Sequence, residues 1–331
     1  MNANADGIWI GFDLGGTKML AIAYDSDWKE LGRRRRKTRG REGSDSGIAR
    51  IGSTIERLLD ENELHGRKVN GIGIGCPGPI DLRRGRILMT PNLGWDDVAV
   101  GDYLKDRFEC PTVVLNDVDA GLYGEYQFGA AQDSRCAVGV FPGTGIGGAC
   151  IYEGRILQGD GISCMEIGHT RISSGSRSSG GLPGTLEAEA SRLSIAAEAA
   201  KAAFRGDAPV LAKSTGTDLS DIRSGALADS VAGGDKVIER LIIDAAESVG
   251  IGVVNVIHIL CPDLIVLGGG LVEAMEDLIV GTVEKTARRS VMEAYRDRFK
   301  VVAAKLGDDA GVKGAAAWAR RTIESGESKK S

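Results

Sequence analysis

Several short segments carry groups suited to cradling an anion or moving a proton. In Asp13-Leu14-Gly15-Gly16-Thr17-Lys18 a strand ends on a carboxylate and turns on two glycines into the next strand. Bare backbone lets N–H groups approach phosphate oxygens, Thr17 and Lys18 can add donors, and Asp13 could hold the water shell of Mg²⁺. A plain hairpin turn would read the same way, and the spacing is not the GxxxxGK[ST] of a P-loop. Gly143-Thr144-Gly145-Ile146-Gly147-Gly148 sits at the equivalent turn of a second, similar stretch, so the same anion-cradling logic applies again. Gly268-Gly269-Gly270 follows an apolar run and precedes a helix, where a base or ribose can lie against bare backbone.

Two further segments offer acid–base chemistry. Asn116-Asp117 closes the run TVVL and opens a helix. A carboxylate at the carboxyl end of a buried strand faces the crevice where α/β proteins place ligands, and there it can accept a hydroxyl proton. An ordinary helix cap is the competing role. Glu166-Ile167-Gly168-His169 has the spacing ExxH, which on a helix could be half a metal site, but Gly168 and β-rich surroundings favour a loop. Both side chains could instead hydrogen-bond a polyhydroxylated ligand.

The elements that must position these groups follow from periodicity. The opening IWIGFDLGGTKMLAIAYD and a third run over residues 29–38 predict a three-strand meander. Residues 44–62 carry Ile48, Ile51, Ile55, Leu58 and Leu59 at helical spacing, and VNGIGIG then reads as a buried strand. GDYLKDRFEC predicts a short helix and TVVLND another buried strand. From Cys136 the meander restarts, followed by helical stretches at 186–204, 236–259 and 271–289, with the strand DLIVLGGG between the last two. Similar halves imply a duplicated α/β domain with a cleft between them. The boundary is expected near residues 117–128, and GDDAGVKGAAAWARRTIE as a final helix returning to the first half. ESGESKKS reads as a polar tail.

Composition excludes several classes. The chain has 331 residues, 42% hydrophobic and 26% charged, enough for one large or two ordinary domains. Its net charge of −5 argues against a partner that is nucleic acid or an anionic membrane. No basic leader precedes the first strand, and the apolar stretch 249–267 is interrupted by Asn255, His258, Pro262 and Asp263. A buried helix and a cytoplasmic protein are therefore expected. Six scattered cysteines without a CxxC pair read as buried free thiols. The run RRRRK at 33–37 reads as the solvated edge of the third strand, with a polyanion patch as the alternative.

Taken in order, DLGGTK at 13, GIGCPGPID at 73, TPNLGWDDV at 90, NDVDAG at 116, GTGIGGA at 143, EIGH at 166, LEAEAS at 186 and VLGGG at 266 resemble the ROK family of repressors, open reading frames and sugar kinases. The resemblance spans roughly residues 8 to 320. It implies an α/β fold of the actin-like ATPase type: two RNase-H-like domains, a small one over residues 1–120 plus 310–331 and a large one over 121–309, with an interdomain cleft. It implies Asp117 as the general base that takes the proton from a sugar hydroxyl as it attacks the γ-phosphate of ATP. Asn92, Asn116, Asp117, Glu166, His169 and Glu187 match the family's sugar-contacting positions. Asp13, Gly15, Gly16, Thr17, Lys18, Gly143, Thr144, Gly145, Gly268, Gly269 and Gly270 would serve ATP, with Asp13 on Mg²⁺ through water. A homodimer is implied as well.

One departure stands out. Where family members carry CxCGxxGCxE, with three cysteines and the histidine on a structural zinc, this chain has Ser178, Gly180 and Thr185, so no zinc is expected. Pro142 and Arg192 are smaller departures. The reading is a glucokinase-like enzyme phosphorylating a hexose at the 6-hydroxyl, glucose first because of TPNLGW. N-acetylmannosamine, fructose, mannose or allose as substrate, polyphosphate as donor, and a sugar-sensing regulator are the alternatives. The first strand begins within about ten residues of Met1, which is short for a DNA-binding module.

Overall fold

The computed structural model describes residues 7–175 and 181–326. The chain forms two compact units, the first comprising Met1–Gln132, Ile156–Cys164 and Asp308–Ser331, the second Asp133–Arg155 and Met165–Gly307. Against the expected division after residue 120, helix Asp117–Phe128 stays whole with the first unit. A tight fit holds it there: Gly314 leaves no room for a Cβ against the Ala120 carbonyl, nor Gly124 against that of Ala310.

In the first unit, strands β1 (Ile8–Leu14), β2 (Lys18–Tyr24) and β3 (Glu30–Lys37) form the expected meander. Helix α1 (Ser44–Glu61) leads to β4 (Val69–Cys76), and short strands β5 (Ile80–Asp81), β6 (Arg86–Thr90) and β7 (Trp95–Val98) make a small separate sheet. Helix α2 (Val100–Phe108), β8 (Thr112–Asn116) and α3 (Asp117–Phe128) complete the forward run. The main sheet runs β3-β2-β1-β4-β8, antiparallel through the meander and parallel from β1 to β8. Parallel neighbours need crossovers, and α1 supplies the first with its apolar stripe Ile51, Ile55 and Leu58 buried. The three strands β5–β7 have two to five residues each and bury no more than two of them, so none shows a period of two.

The RRRRK run is the exposed edge β3, and alternation splits it. Arg33 pairs with Glu30 and Asp309, Arg35 with Asp308, and Arg34 with Glu61. Helix α11 (Ala310–Ser325) returns to this unit, as GDDAGVKGAAAWARRTIE predicts, with Ala315, Ala316 and Ala319 buried. Its turns lie so near the sheet that Gly11 and Gly73 face the Val312 and Ala315 carbonyls with no room for a side chain. The helix runs through Ser325, so the expected tail is shorter at its start, and residues 327–331 lie outside the described residues.

The second unit repeats the order. Strands β9 (Cys136–Pro142) and β10 (Ile146–Tyr152) are antiparallel, the two-residue β11 (Arg155–Ile156) takes the third meander place, and β9 continues in parallel to β12 (Leu264–Leu267) and β13 (Lys300–Ala303). Strand β13 was not anticipated; its four residues follow a turn-rich stretch that masks them. The stretch expected as one helix from 186 is two, α4 (Leu186–Ala190) and α5 (Arg192–Arg205), because Ser191 caps α5 by accepting from the Ser194 N–H. Helices α6 (Pro209–Ser214) and α7 (Ser224–Ala232) follow, then α8 (Lys236–Leu260). The stretch from 271 also divides, into α9 (Gly270–Ala274) and α10 (Glu276–Ser290), at Met275.

Helix α8 is long and apolar enough to cross a membrane by length and composition, yet Ile242, Val249, Val253 and Ile257 are buried in the unit's core. None of the six cysteines forms a disulfide, but only Cys76, Cys110, Cys136 and Cys150 are buried. Cys164 is half-buried, and Cys261 is exposed because it closes α8 as a left-handed cap.

Candidate functional site

In the first unit three parallel strands end side by side. Asp13 of β1 pairs in register with Gly75 of β4, and Cys76 of β4 with Asn116 of β8. Asp13 and Asp117 therefore flank the buried Cys76, whose thiol is held well above its usual range by burial and then by the charges of Asp117 and Asp13. The cap of α3 falls to Asn116, not Asp117. Its Oδ1 accepts from Val118 N at 2.8 Å and Asp119 N at 3.3 Å, while Nδ2 donates to the Gly78 carbonyl at 3.2 Å. Asp117 is the first helical residue, with one oxygen, Oδ1, accepting from Val118 N at 3.0 Å. The carboxylate is thereby oriented at a helix N-terminus.

The Gly15–Lys18 turn is pinned by Thr38, whose Oγ1 donates to Gly15 O at 2.6 Å and whose N–H donates to Thr17 O at 2.9 Å. Asn92 lies between β6 and β7, and a Cβ on Gly16 would be 3.8 Å from its Cβ. Buried Trp95 anchors that hairpin by donating from Nε1 to Gly40 O at 3.1 Å. Burial, and next the Asp308 carboxylate, raise Asp13 from 3.8 to about 6, against the opposing pull of Lys18 and Arg35. Lys18 Nζ meets Asp308 Oδ2 at 2.8 Å, so the ammonium expected to serve phosphate has an acidic partner here. Sequence reasoning missed Asp308: GDDAG signalled only a helix start.

In the second unit the Gly143–Gly145 turn closes on itself, Gly143 N donating to Gly145 O at 2.8 Å. Glu187 is buried beneath it and accepts from Ile146 N at 3.0 Å through Oε2. A Cβ on Gly145 would strike that carboxylate, so any larger residue there requires the Glu187 side chain to shift. Glu166 and His169 bracket a single 3₁₀ turn, Ile167–His169, with His169 N donating to Glu166 O at 3.0 Å; the loop reading of ExxH is correct. The Glu166 carboxyl is pushed up by burial and by Glu187, with His169 opposing, so these three groups share one field.

The positions that differ from the family's zinc pattern are only partly visible. Ser178 and Gly180 lie outside the described residues. Thr185 caps α4, its Oγ1 accepting from Ala188 N at 3.2 Å, and pairs as a bridge with Arg171. Leu186 N donates to Thr170 O at 2.9 Å, tying the segment after His169 to the start of α4. The Gly268–Gly270 turn lies against the end of β9: a Cβ on Gly268 would press the Phe141 ring, and Gly269, at φ 88°, faces the Pro142 carbonyl. The two glycine turns of this unit are therefore neighbours.

The candidate residues thus fall into two groups. Asp13, Gly15, Gly16, Thr17, Lys18, Asn92, Asn116 and Asp117 gather in the first unit; Gly143, Thr144, Gly145, Glu166, His169, Glu187 and Gly268–Gly270 gather in the second. The first group offers a proton acceptor and a cation-seeking carboxylate. The second offers backbone donors beside the polar side chains of Glu166, His169 and Glu187.

A match to the ROK family runs over residues 9–322. The chain belongs to the ROK family. Within it, the chain is 31% identical over 318 residues to a glucokinase of Thermotoga maritima, covering 95% of this chain and 98% of that one. A solved ROK family glucokinase from Streptomyces griseus, in complex with glucose and AMPPNP, superposes with a TM-score of 0.82 at 28% identity, covering 95% of this chain and all of that chain. A xylose repressor of Caldicellulosiruptor bescii is 27% identical over 263 residues, covering 78% of this chain and 65% of the repressor. The two repeated sheets accord with the actin-like ATPase fold of ROK proteins.

Proposed function

We propose that this ROK chain is an ATP-dependent hexose kinase acting at the 6-hydroxyl, with glucose as the first substrate to try. The observation that carries the proposal is Asp117, a carboxylate at the end of β8, oriented by the α3 N-terminus and relieved of capping by Asn116. A carboxylate so placed suits accepting the hydroxyl proton while the hydroxyl oxygen attacks the γ-phosphorus. The new P–O bond forms as the bond to the bridging oxygen breaks, and ADP leaves with that electron pair.

Positioning and charge do the rest. Asn92, Glu166, His169 and Glu187 supply the donors and acceptors that a polyhydroxylated ligand requires, and Glu187 also braces the phosphate turn through Ile146. Asp13, driven up by burial and by Asp308, gains from a cation nearby, so the residues present fit Mg²⁺ held through water. When bound, Mg²⁺ neutralises charge on the phosphates. The similarity to the Thermotoga and Streptomyces glucokinases supports glucose.

The test is ADP release from Mg-ATP across glucose, mannose, fructose, allose, N-acetylglucosamine and N-acetylmannosamine, with Asp117→Asn as control. Turnover on glucose is expected, reduced about 10²–10⁴-fold in the variant. No release on any sugar, or an Asp117→Asn variant as active as the parent, would refute the proposal.

A further inference from the structure

Arg192 begins α5 directly over the Gly143–Gly145 turn. Its N–H donates to Gly143 O at 2.9 Å, Nη2 donates to Thr144 Oγ1 at 2.9 Å, and Nη1 reaches Ile222 O at 3.4 Å. Each of these acceptors is neutral. Arg223, one residue beyond Ile222, is exposed and donates from Nε to Ser220 O at 3.1 Å. Next to it, Ser224 lies at the other glycine turn: a Cβ on Gly270 would be 3.2 Å from Ser224 Oγ. Arg192 thus sits on the Gly143–Gly145 turn, and Arg223 is next in the chain to the serine that meets the Gly268–Gly270 turn. The two arginines feel each other, for the Arg192 guanidinium is pulled below its usual range by burial and by Arg223.

Among the described residues neither arginine has an ion pair, although acidic residues outnumber basic ones by 46 to 41. The contrast with β3 is direct, where Arg33, Arg34 and Arg35 each hold a carboxylate. A half-buried guanidinium bonded only to neutral oxygens, with a like charge beside it, is left with uncompensated repulsion and desolvation. An anion placed between the two would relieve both. A guanidinium presents its donors in a planar fork matched to phosphate oxygens.

We infer that Arg192 and Arg223 form a cationic clamp for the phosphate chain of the nucleoside triphosphate donor, with Thr144 as the pivot that aims Arg192. The clamp deepens the kinase reading and rests on it. A hexose is neutral and gives two arginines nothing to neutralise, whereas the donor's phosphate chain is the anion this reaction brings.

The test is calorimetric titration of Mg-ATP, ADP, AMP and adenosine into the full chain, for wild type, R192M, R223M and R192K. Affinity for ATP should fall about ten-fold to a hundred-fold in R192M and R223M, less for AMP and not at all for adenosine. R192K should recover part of the loss, because it keeps the charge without the fork. Exposed Arg223 makes R223M the variant least able to disturb folding. If wild type binds ATP and the variants bind it equally well, or lose all four ligands alike, the clamp is overturned while the kinase reading survives. If wild type binds none of the four, both are overturned.

Discussion

Burial places a stability cost on the Asp13 carboxyl group. Its folded-state value of about 6, against 3.8 unperturbed, means the native chain binds more protons than the unfolded chain between those two values. Stability therefore declines as pH rises through that window and levels off above it. The penalty at neutral pH is up to about 3 kcal/mol at 1.36 kcal/mol per unit. Asp13→Asn removes the charge without removing the shape. Urea unfolding without ligand should show the variant more stable than wild type at pH 7, the difference shrinking toward pH 4, while ADP release falls. Equal pH profiles for the two proteins would show that the Asp13 charge carries no such penalty. Asp117 is legible in sequence as a carboxylate at a strand end, but not as freed from capping. That depended on Asn116, whose amide bonds Gly78, Val118 and Asp119 at once.

At the scale of elements, the turn between β9 and β10 is defined by what lies beneath it. Glu187 arrives from α4, 41 positions along the chain, and bonds Ile146 N. Gly145→Ala would drive a methyl into that carboxylate, so the Glu187 side chain must shift and its bond to Ile146 N with it. The expected outcome is a cooperative fold by circular dichroism and a KM for ATP raised at least about ten-fold, since a misplacement of about 1 Å can cost a hundred-fold. An unchanged KM would mean the turn does not meet the nucleotide. Element types were largely visible in periodicity: α1, α8, β4 and β8 all lie where apolar spacing puts them. Boundaries were not. Ser191 and Met275 break two helical stretches by local capping and backbone geometry that an apolar repeat does not register. The strands β5–β7 and β13 bury no more than two side chains each, so they lack the apolar run that marks β8 and β12.

On the scale of the whole molecule, each unit has its own core and its own share of the candidate residues. Ligands that bind only the folded chain must therefore stabilise it by mass action. Mg-ATP and glucose, each at about 100 times its Kd, should each add about 2.7 kcal/mol to unfolding free energy, visible as a rise in Tm; a sugar outside the substrate set should add nothing. What the sequence by itself determined was the repetition of the meander, the return of the last helix, and the ordered motifs that mark a ROK chain. Those depend on local spacing and on glycines and carboxylates at strand ends, which are written in the order of residues. Only the tertiary structure decided that Asp308 faces Asp13, that Glu187 underlies Gly145, and that Arg192 and Arg223 feel each other with no carboxylate paired to either among the described residues. Such pairings join residues 31 to 295 positions apart, and burial and charge act through space.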